Sequence, residues 1–355
     1  MNIIFSIIIF IIIVFIYIHI IHQYKKSEDL EIYELDYKGI DNLQDTCDVR
    51  QPVVFYFDNL IQDMAPINLE VLSDVEKEDG NTLNIKDINE YYLINKNNEE
   101  TIVPTEVSLS FQSTLQLLKT DSNIRFFTEN NNSFIEDTGL DTLMVKIGNL
   151  YLKPQYTLNQ SFDIMTGTNG IGLPMRFHTN SRKFIYVSSG RIIVKMAPFK
   201  NIKKLKFIKN SKISPINCWN PQKEYISSIN KTRFLEFDVS KGNTLYIPPY
   251  WIYSLKYVSD NVCLLEYNYR TLPNIIAHLD EFTGNIKQTI NSIFMSKKTN
   301  EDNCDSTEEH SDDKDDDDNN DKTSSNISSN ISVNDNITTD NYDLRTIIIP
   351  TANST

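Results

Sequence analysis

The chain has 355 residues, 40% hydrophobic and 11% aromatic, which excludes disorder throughout and allows a sizeable core. Its 34 basic and 48 acidic residues give a net charge of −14, and residues 296–355 hold 15 acids and 5 bases (net −10), so the remainder carries only −4. No strongly basic domain stands out, and nucleic-acid binding is not expected.

From Ile3 to Ile21, sixteen of nineteen residues are Ile, Phe or Val, broken only by Ser6, Tyr17 and His19. As a helix this run would be about 28 Å long, matching the roughly 30 Å hydrocarbon layer of a bilayer. It is longer than a signal-peptide core, no small-residue cleavage pattern follows it, and no Lys or Arg precedes it. Residues 1–24 are therefore expected to be a retained, single-pass membrane anchor, with 3–21 in lipid. Lys25 and Lys26 on the C-terminal side point to a domain facing the cytosol by the positive-inside rule. The sequons Asn131-Asn132-Ser133 and Asn230-Lys231-Thr232 would suit a lumenal side, but a chain this rich in Asn forms them by chance.

Residues 25–47 read as a linker. Beyond them the apolar pattern is short and strand-like. Strands are predicted at Pro52–Phe57, Leu143–Ile147, Phe162–Thr166, Phe184–Ser188, Ile192–Ala197, Phe234–Val239, Thr244–Ile247, Ile252–Val258 and Val262–Tyr269, with turns at Ser189-Gly190, Lys241-Gly242-Asn243 and Pro248-Pro249. A helix is predicted at Val107–Leu118. The lysine run 200, 203, 204, 206, 209 and 212 reads as a solvated loop face, with a phosphate or lipid site, or docking of the acidic tail, as alternatives. After Pro273 the period changes, and Ile276, Leu279, Phe282, Ile286, Ile290 and Ile293 mark an amphipathic helix. Its stripe is expected to pack on the core or to form a homodimer interface over 273–295. Residues 296–355 are expected to be a disordered acidic tail, since Glu301–Asp321 carries twelve acids and one lysine.

Cys47, Cys218, Cys263 and Cys304 lie far apart with no C-x-x-C pair and read as reduced thiols. Outside the apolar N-terminus and the tail, the histidines are His178 and His278.

Two segments carry more than fold class. Phe162-Asp163-Ile164-Met165-Thr166-Gly167 leads through Leu173-Pro174-Met175-Arg176-Phe177-His178-Thr179-Asn180 to Ser188-Ser189-Gly190-Arg191, and Gly242-Asn243-Thr244-Leu245-Tyr246-Ile247-Pro248-Pro249-Tyr250-Trp251 follows some fifty residues later. With Arg50-Gln51-Pro52-Val53-Val54-Phe55 and the Ser214–Pro221 connection, this resembles the JmjC-like cupins of the cupin-8 type, Fe(II)/2-oxoglutarate oxygenases, over roughly Asp48–Tyr269. The resemblance implies a mainly β domain over 48–295, a double-stranded β-helix (cupin, jelly roll) with flanking helices.

That family holds iron with two histidines and a carboxylate. His178 matches the first histidine, but Asn180 stands at the carboxylate and Tyr253 at the second histidine. A neutral amide does not offset a metal's charge, and a phenol with an ordinary pKa near 10 is a poor ligand for ferrous iron. The lysine that the family uses for the cosubstrate carboxylate corresponds to Ile192, with Arg191 and Lys195 as neighbours. No cofactor is therefore expected. The expected function is a non-catalytic binding or scaffolding module at a membrane surface, viral or organellar membranes included, with an unidentified protein partner. The alternative is a membrane-tethered hydroxylase that uses Fe(II) and 2-oxoglutarate through His178 with Glu236 or Glu266 and a tyrosine. Phe177, Tyr186 and Trp251 are candidates for a pocket beside His178, and Trp251 also reads as a core aromatic.

Overall fold

The computed structural model of the chain describes residues 3–62, 67–75, 80–93, 104–207 and 212–280. The expected acidic tail, Cys304, Lys209 and the helical stripe beyond residue 280 lie outside these. α1 (Ile3–Gln23) is a 21-residue helix, long and apolar enough to cross a membrane or to serve as a signal sequence, with its apolar side chains exposed from Ile3 to Ile18 and again at Ile21.

The span expected to be a linker is part of the fold. It supplies β1 (Tyr33–Glu34) and α2 (Ile40–Asp48), whose Leu43 and Cys47 are fully buried. The spacing of these two residues, four apart, places them on one helical face against the sheet. β2 (Val53–Tyr56), α3 (Leu69–Val75), β3 (Thr82–Asp87), α4 (Ile88–Leu93), β4 (Val107–Ser110), α5 (Phe111–Thr120), β5 (Phe126–Thr128), α6 (Asn132–Asp137) and α7 (Leu140–Tyr151) follow. The predicted helix at 107–118 thus starts later, because Ser110 caps it by accepting from the Ser113 amide, and Val107–Ser110 pairs with β3. The predicted strand Leu143–Ile147 is a stretch of α7. There Met144, Ile147 and Gly148 recur at three- and four-residue steps and are buried.

The remaining strands are β6 (Thr157–Met165), β7 (Arg182–Ser189), β8 (Arg191–Ala197), then, after α8 (Ile226–Asn230), β9 (Leu235–Ser240), β10 (Asn243–Tyr246), β11 (Ile252–Tyr257) and β12 (Cys263–Thr271); α9 (Leu272–Ala277) follows. The fold is a mixture of helices and mostly antiparallel sheets rather than mainly β. A six-stranded sheet has the order β1-β2-β10-β7-β12-β6, with only β1–β2 parallel, and the two three-stranded sheets are β11-β8-β9 and β4-β3-β5.

The first two sheets share one buried cluster, in which Ile185, Val187 and Leu264 meet Val194, Leu255 and Tyr257. Trp251 belongs to it at 1% exposure, and its indole N–H donates to the Arg50 carbonyl at 3.2 Å. The other face of the six-stranded sheet carries Phe55, Phe184, Tyr186 and Tyr267, covered by α2, α5, α6 and α7. Alternation along β7 decides this division, since Lys183, Ile185 and Val187 point one way and Arg182, Phe184 and Tyr186 the other. The β7–β8 turn pivots on Gly190 at φ 78°, where a Cβ would lie 2.8 Å from Val262. Cys47, Cys218 and Cys263 are buried free thiols, and burial pushes the Cys263 thiol up to about 12. Asn131 of the first sequon is 1% exposed and donates to the Ile164 carbonyl at 2.6 Å, so it is a structural residue rather than a glycan acceptor.

Candidate functional site

The chain bridges from Gly172 to Lys256 and from Arg176 to Tyr253, running antiparallel to β11. This brings His178 beside Tyr253, ring centroids 6.3 Å apart. Both are buried, at 7% and 4% exposure. The ring Nε2 of His178 lies 3.0 Å from the Ile247 carbonyl, which assigns the hydrogen to that nitrogen; Nδ1 has no hydrogen-bond partner among the described residues. Burial first, and then the charge of Lys183, hold the His178 pKa well below its ordinary value, so the ring is neutral at pH 7.

A closed polar network continues from here. Asn180 Nδ2 donates to Asn268 Oδ1 at 2.8 Å, and Arg270 Nε donates to Asn180 Oδ1 at 2.9 Å. Lys183 Nζ donates to Asn268 Oδ1 at 3.2 Å and forms an ion pair with Glu266, while Asn268 Nδ2 donates to Glu266 Oε1 at 2.7 Å. The same ammonium lies 6.0 Å from the Tyr253 ring centroid. Burial alone would lower the Lys183 pKa, but the Glu266 carboxylate reverses this and holds it above its ordinary value. Lys183 is therefore a fixed cation and not a nucleophilic amine. Burial raises the Tyr253 pKa, which keeps the phenol neutral.

This arrangement does not fit a ferrous ion with a 2-oxo acid. The ammonium already stands beside the two side chains, His178 and Tyr253, that would have to hold the ion. The cavity between Leu173, Arg176, Tyr253 and Glu266 measures about 10 Å³, room for about one water molecule, whereas small-molecule sites occupy about 300 Å³ or more. Glu236, the other carboxylate considered, lies 3.6 Å from Lys195 and is largely exposed on β9. Ile192 is fully buried and Arg191 is exposed. His278 is tied elsewhere, its Nε2 2.6 Å from the Tyr250 hydroxyl.

The expected pocket residues are not gathered around His178. Phe177 packs with Phe199 and Phe207 in a separate cluster behind β8 and β11. Tyr186 points to the opposite face of the six-stranded sheet, where it donates to Asp58 and lines a cavity of about 300 Å³ with Tyr56, Ser188 and Lys241. Trp251 is in the core, as described above. No protein-family model matches the chain, and no curated protein matches it.

A second charged group sits next to the first. Glu129 accepts from Arg176 Nη1 at 2.5 Å, Tyr91 Oη at 2.8 Å and Lys86 Nζ at 3.0 Å. Burial would raise its pKa, but Arg176 and Lys86 outweigh that and hold it down at about 2. Asp163 stands opposite Glu266 in the β6–β12 ladder and accepts from the Asn130 and Asn131 amides, both at 2.8 Å. Burial and the Glu266 charge raise its pKa to about 7 against the pull of those two amides.

Sequence reasoning named His178, Asn180 and Tyr253 but missed Lys183, Asn268 and Arg270. The signal was present: Lys183 is two residues before Ile185 and Glu266 two after Leu264, so both share the inward face. The predicted strand began one residue too late to include the lysine.

Two predictions follow from these charges. Lys183→Met leaves the partly buried Glu266 without its counter-charge and is expected to destabilise the protein by about 2–4 kcal/mol in denaturant unfolding, with Glu266→Leu in the same chain restoring most of that. An unchanged midpoint in the single variant would contradict the pairing. For Asp163, the folded pKa of about 7 lies above the unfolded value, so its stabilisation is complete below about pH 4 and lost as pH rises through about 7. The melting temperature should fall between about pH 4 and pH 7 and level off above that, and Asp163→Asn should flatten this slope. A slope that persists in the variant would contradict the assignment.

Proposed function

We propose that the chain is a membrane-anchored protein whose domain is a double-stranded β-helix of the cupin type, without metal chemistry, acting as a binding or scaffolding module at a membrane surface. The strand order supports the fold. From β6 to β12 the chain passes back and forth between the β10-β7-β12-β6 and β11-β8-β9 sheets, staying in the second only from β8 to β9, with the Gly172–Arg176 bridges adding to the edge of the second. Such alternation between two antiparallel sheets is the pattern of a jelly roll. The apolar length of α1 supports the anchor.

The observation that carries the non-catalytic reading is the Lys183–Glu266 pair, locked by Asn268 beside His178 and Tyr253. In this reading the interior that could have held a cofactor is a structural ion-pair network, and interactions with partners belong to the outer surfaces. Anaerobic titration of the full chain, in detergent, with Fe(II) and 2-oxoglutarate tests it. The expected result is no visible charge-transfer band and no stoichiometric iron at hundreds of micromolar metal. One iron per chain with that band would overturn the proposal and restore the hydroxylase alternative, with His178 as first ligand.

A further inference from the structure

We propose that the face of the domain at the exit of α1 is seated on the bilayer that α1 enters, with Lys203, Lys204 and Lys206 against anionic lipid headgroups. The inference rests on the reading of α1 as an anchor. Its basis is a knot of side chains that fixes the domain to the end of that helix. Asn274 of α9 donates to Gln23 Oε1 at 3.4 Å, and the Tyr24 hydroxyl donates to the Ala277 carbonyl. Two residues on, the Lys26 ammonium lies 3.8 Å from the Phe199 ring centroid and 4.8 Å from that of Tyr250. Tyr250 in turn meets His278, and Lys200 pairs with Glu28 at 2.9 Å.

The distances keep this knot within the headgroup layer or a few ångströms beyond it. Lys26 follows Gln23 by three residues, at most about 11 Å of chain. The polar layer on each side of the hydrocarbon is about 5–8 Å thick. The loop held there by Phe199 therefore presents its side chains to lipid phosphates. Lys203, Lys204 and Lys206 are exposed on it, and none pairs with a carboxylate among the described residues. Lysines so placed can lay their stems along the apolar boundary and keep their ammonium groups at the phosphates.

α9 makes a second, independent case. Asn274 and His278 face the domain, while Leu272, Ile276 and Leu279, at four- and three-residue steps, are 48%, 45% and 54% exposed. Ile276 and Leu279 begin the stripe expected from sequence to pack on the core or a second copy, and here it opens outward on a helix that packs against α1. An apolar stripe beside a transmembrane exit, flanked by lysines, is the composition of an interfacial segment. The charge also suits the cytosolic leaflet, whose anionic lipids attract such clusters.

The test places the full chain in nanodiscs of phosphatidylcholine alone or with about a quarter phosphatidylserine. Amide hydrogen exchange over residues 199–207 is expected to slow by about fivefold or more in the anionic discs. Combining Lys203→Gln, Lys204→Gln and Lys206→Gln should abolish the difference without changing the melting temperature. Equal exchange in both lipids, with the chain in the discs, would overturn the seating and leave the anchor standing. Slow exchange already present in neutral lipid would also overturn it, in favour of the acidic residues 301–321 as the occupant. A chain that elutes free of the discs would overturn the anchor and the seating together.

Discussion

A charge moved out of water must be met by another, and the interior between the six-stranded sheet and the β11-β8-β9 sheet contains a lysine. The ammonium of Lys183 and the carboxylate of Glu266 stand on adjacent strands, with Asn268 bonded to both. Removing either partner leaves a largely enclosed ion uncompensated, so the pair adds to the apolar packing in fixing the β7–β12 register. A one-residue slip would send Lys183 to the face that carries Phe184 and Tyr186. The same pair contributes to other features. Burial, and then the Lys183 charge, keep His178 neutral; burial, and then the Glu266 charge, raise the Asp163 pKa from across the β6–β12 ladder; and Glu266 lines, with Arg176 and Tyr253, a cavity with space for about one water.

The legible parts of the fold were those with a clear period. The strands from β6 to β12, the anchor-length helix and the Ser189-Gly190 turn could be read from alternation, run length and glycine. Leu143–Ile147 could not, because a five-residue apolar run fits either a strand or a helix. Only the wider spacing over Leu140–Tyr151 reveals α7. The weight of helix was likewise underestimated. α2 lies in a polar stretch with few apolar residues, and its burial depends on Leu43 and Cys47 meeting a sheet formed much later in the chain. That is a tertiary effect, which local pattern does not carry.

The site was legible by position and not by content. His178, Asn180 and Tyr253 do come into one neighbourhood, so the motif spacing located it. What occupies it depends on Lys183 and Asn268, whose importance comes from strand pairing. Phe177 and Tyr186 were assigned to the same space because they flank it in sequence. Phe177 turns into the cluster behind β8 and β11, and Tyr186, three residues on from Lys183, falls on the other face of the sheet. Resemblance to an iron-binding motif thus identified a place in the chain, and the donor chemistry at that place points away from iron.

The most direct test of this account is to observe the Lys183 ammonium itself. Lysine labelled with nitrogen-15 at Nζ, in the full chain and in the Lys183→Met variant, identifies its resonance by difference. A protonated, slowly exchanging signal that persists above the ordinary lysine pKa of about 10.4, and is not broadened by added Mn(II), is the predicted result. A neutral amine near pH 7, or selective paramagnetic broadening of this signal, would show that the interior is open to a metal and would contradict the account.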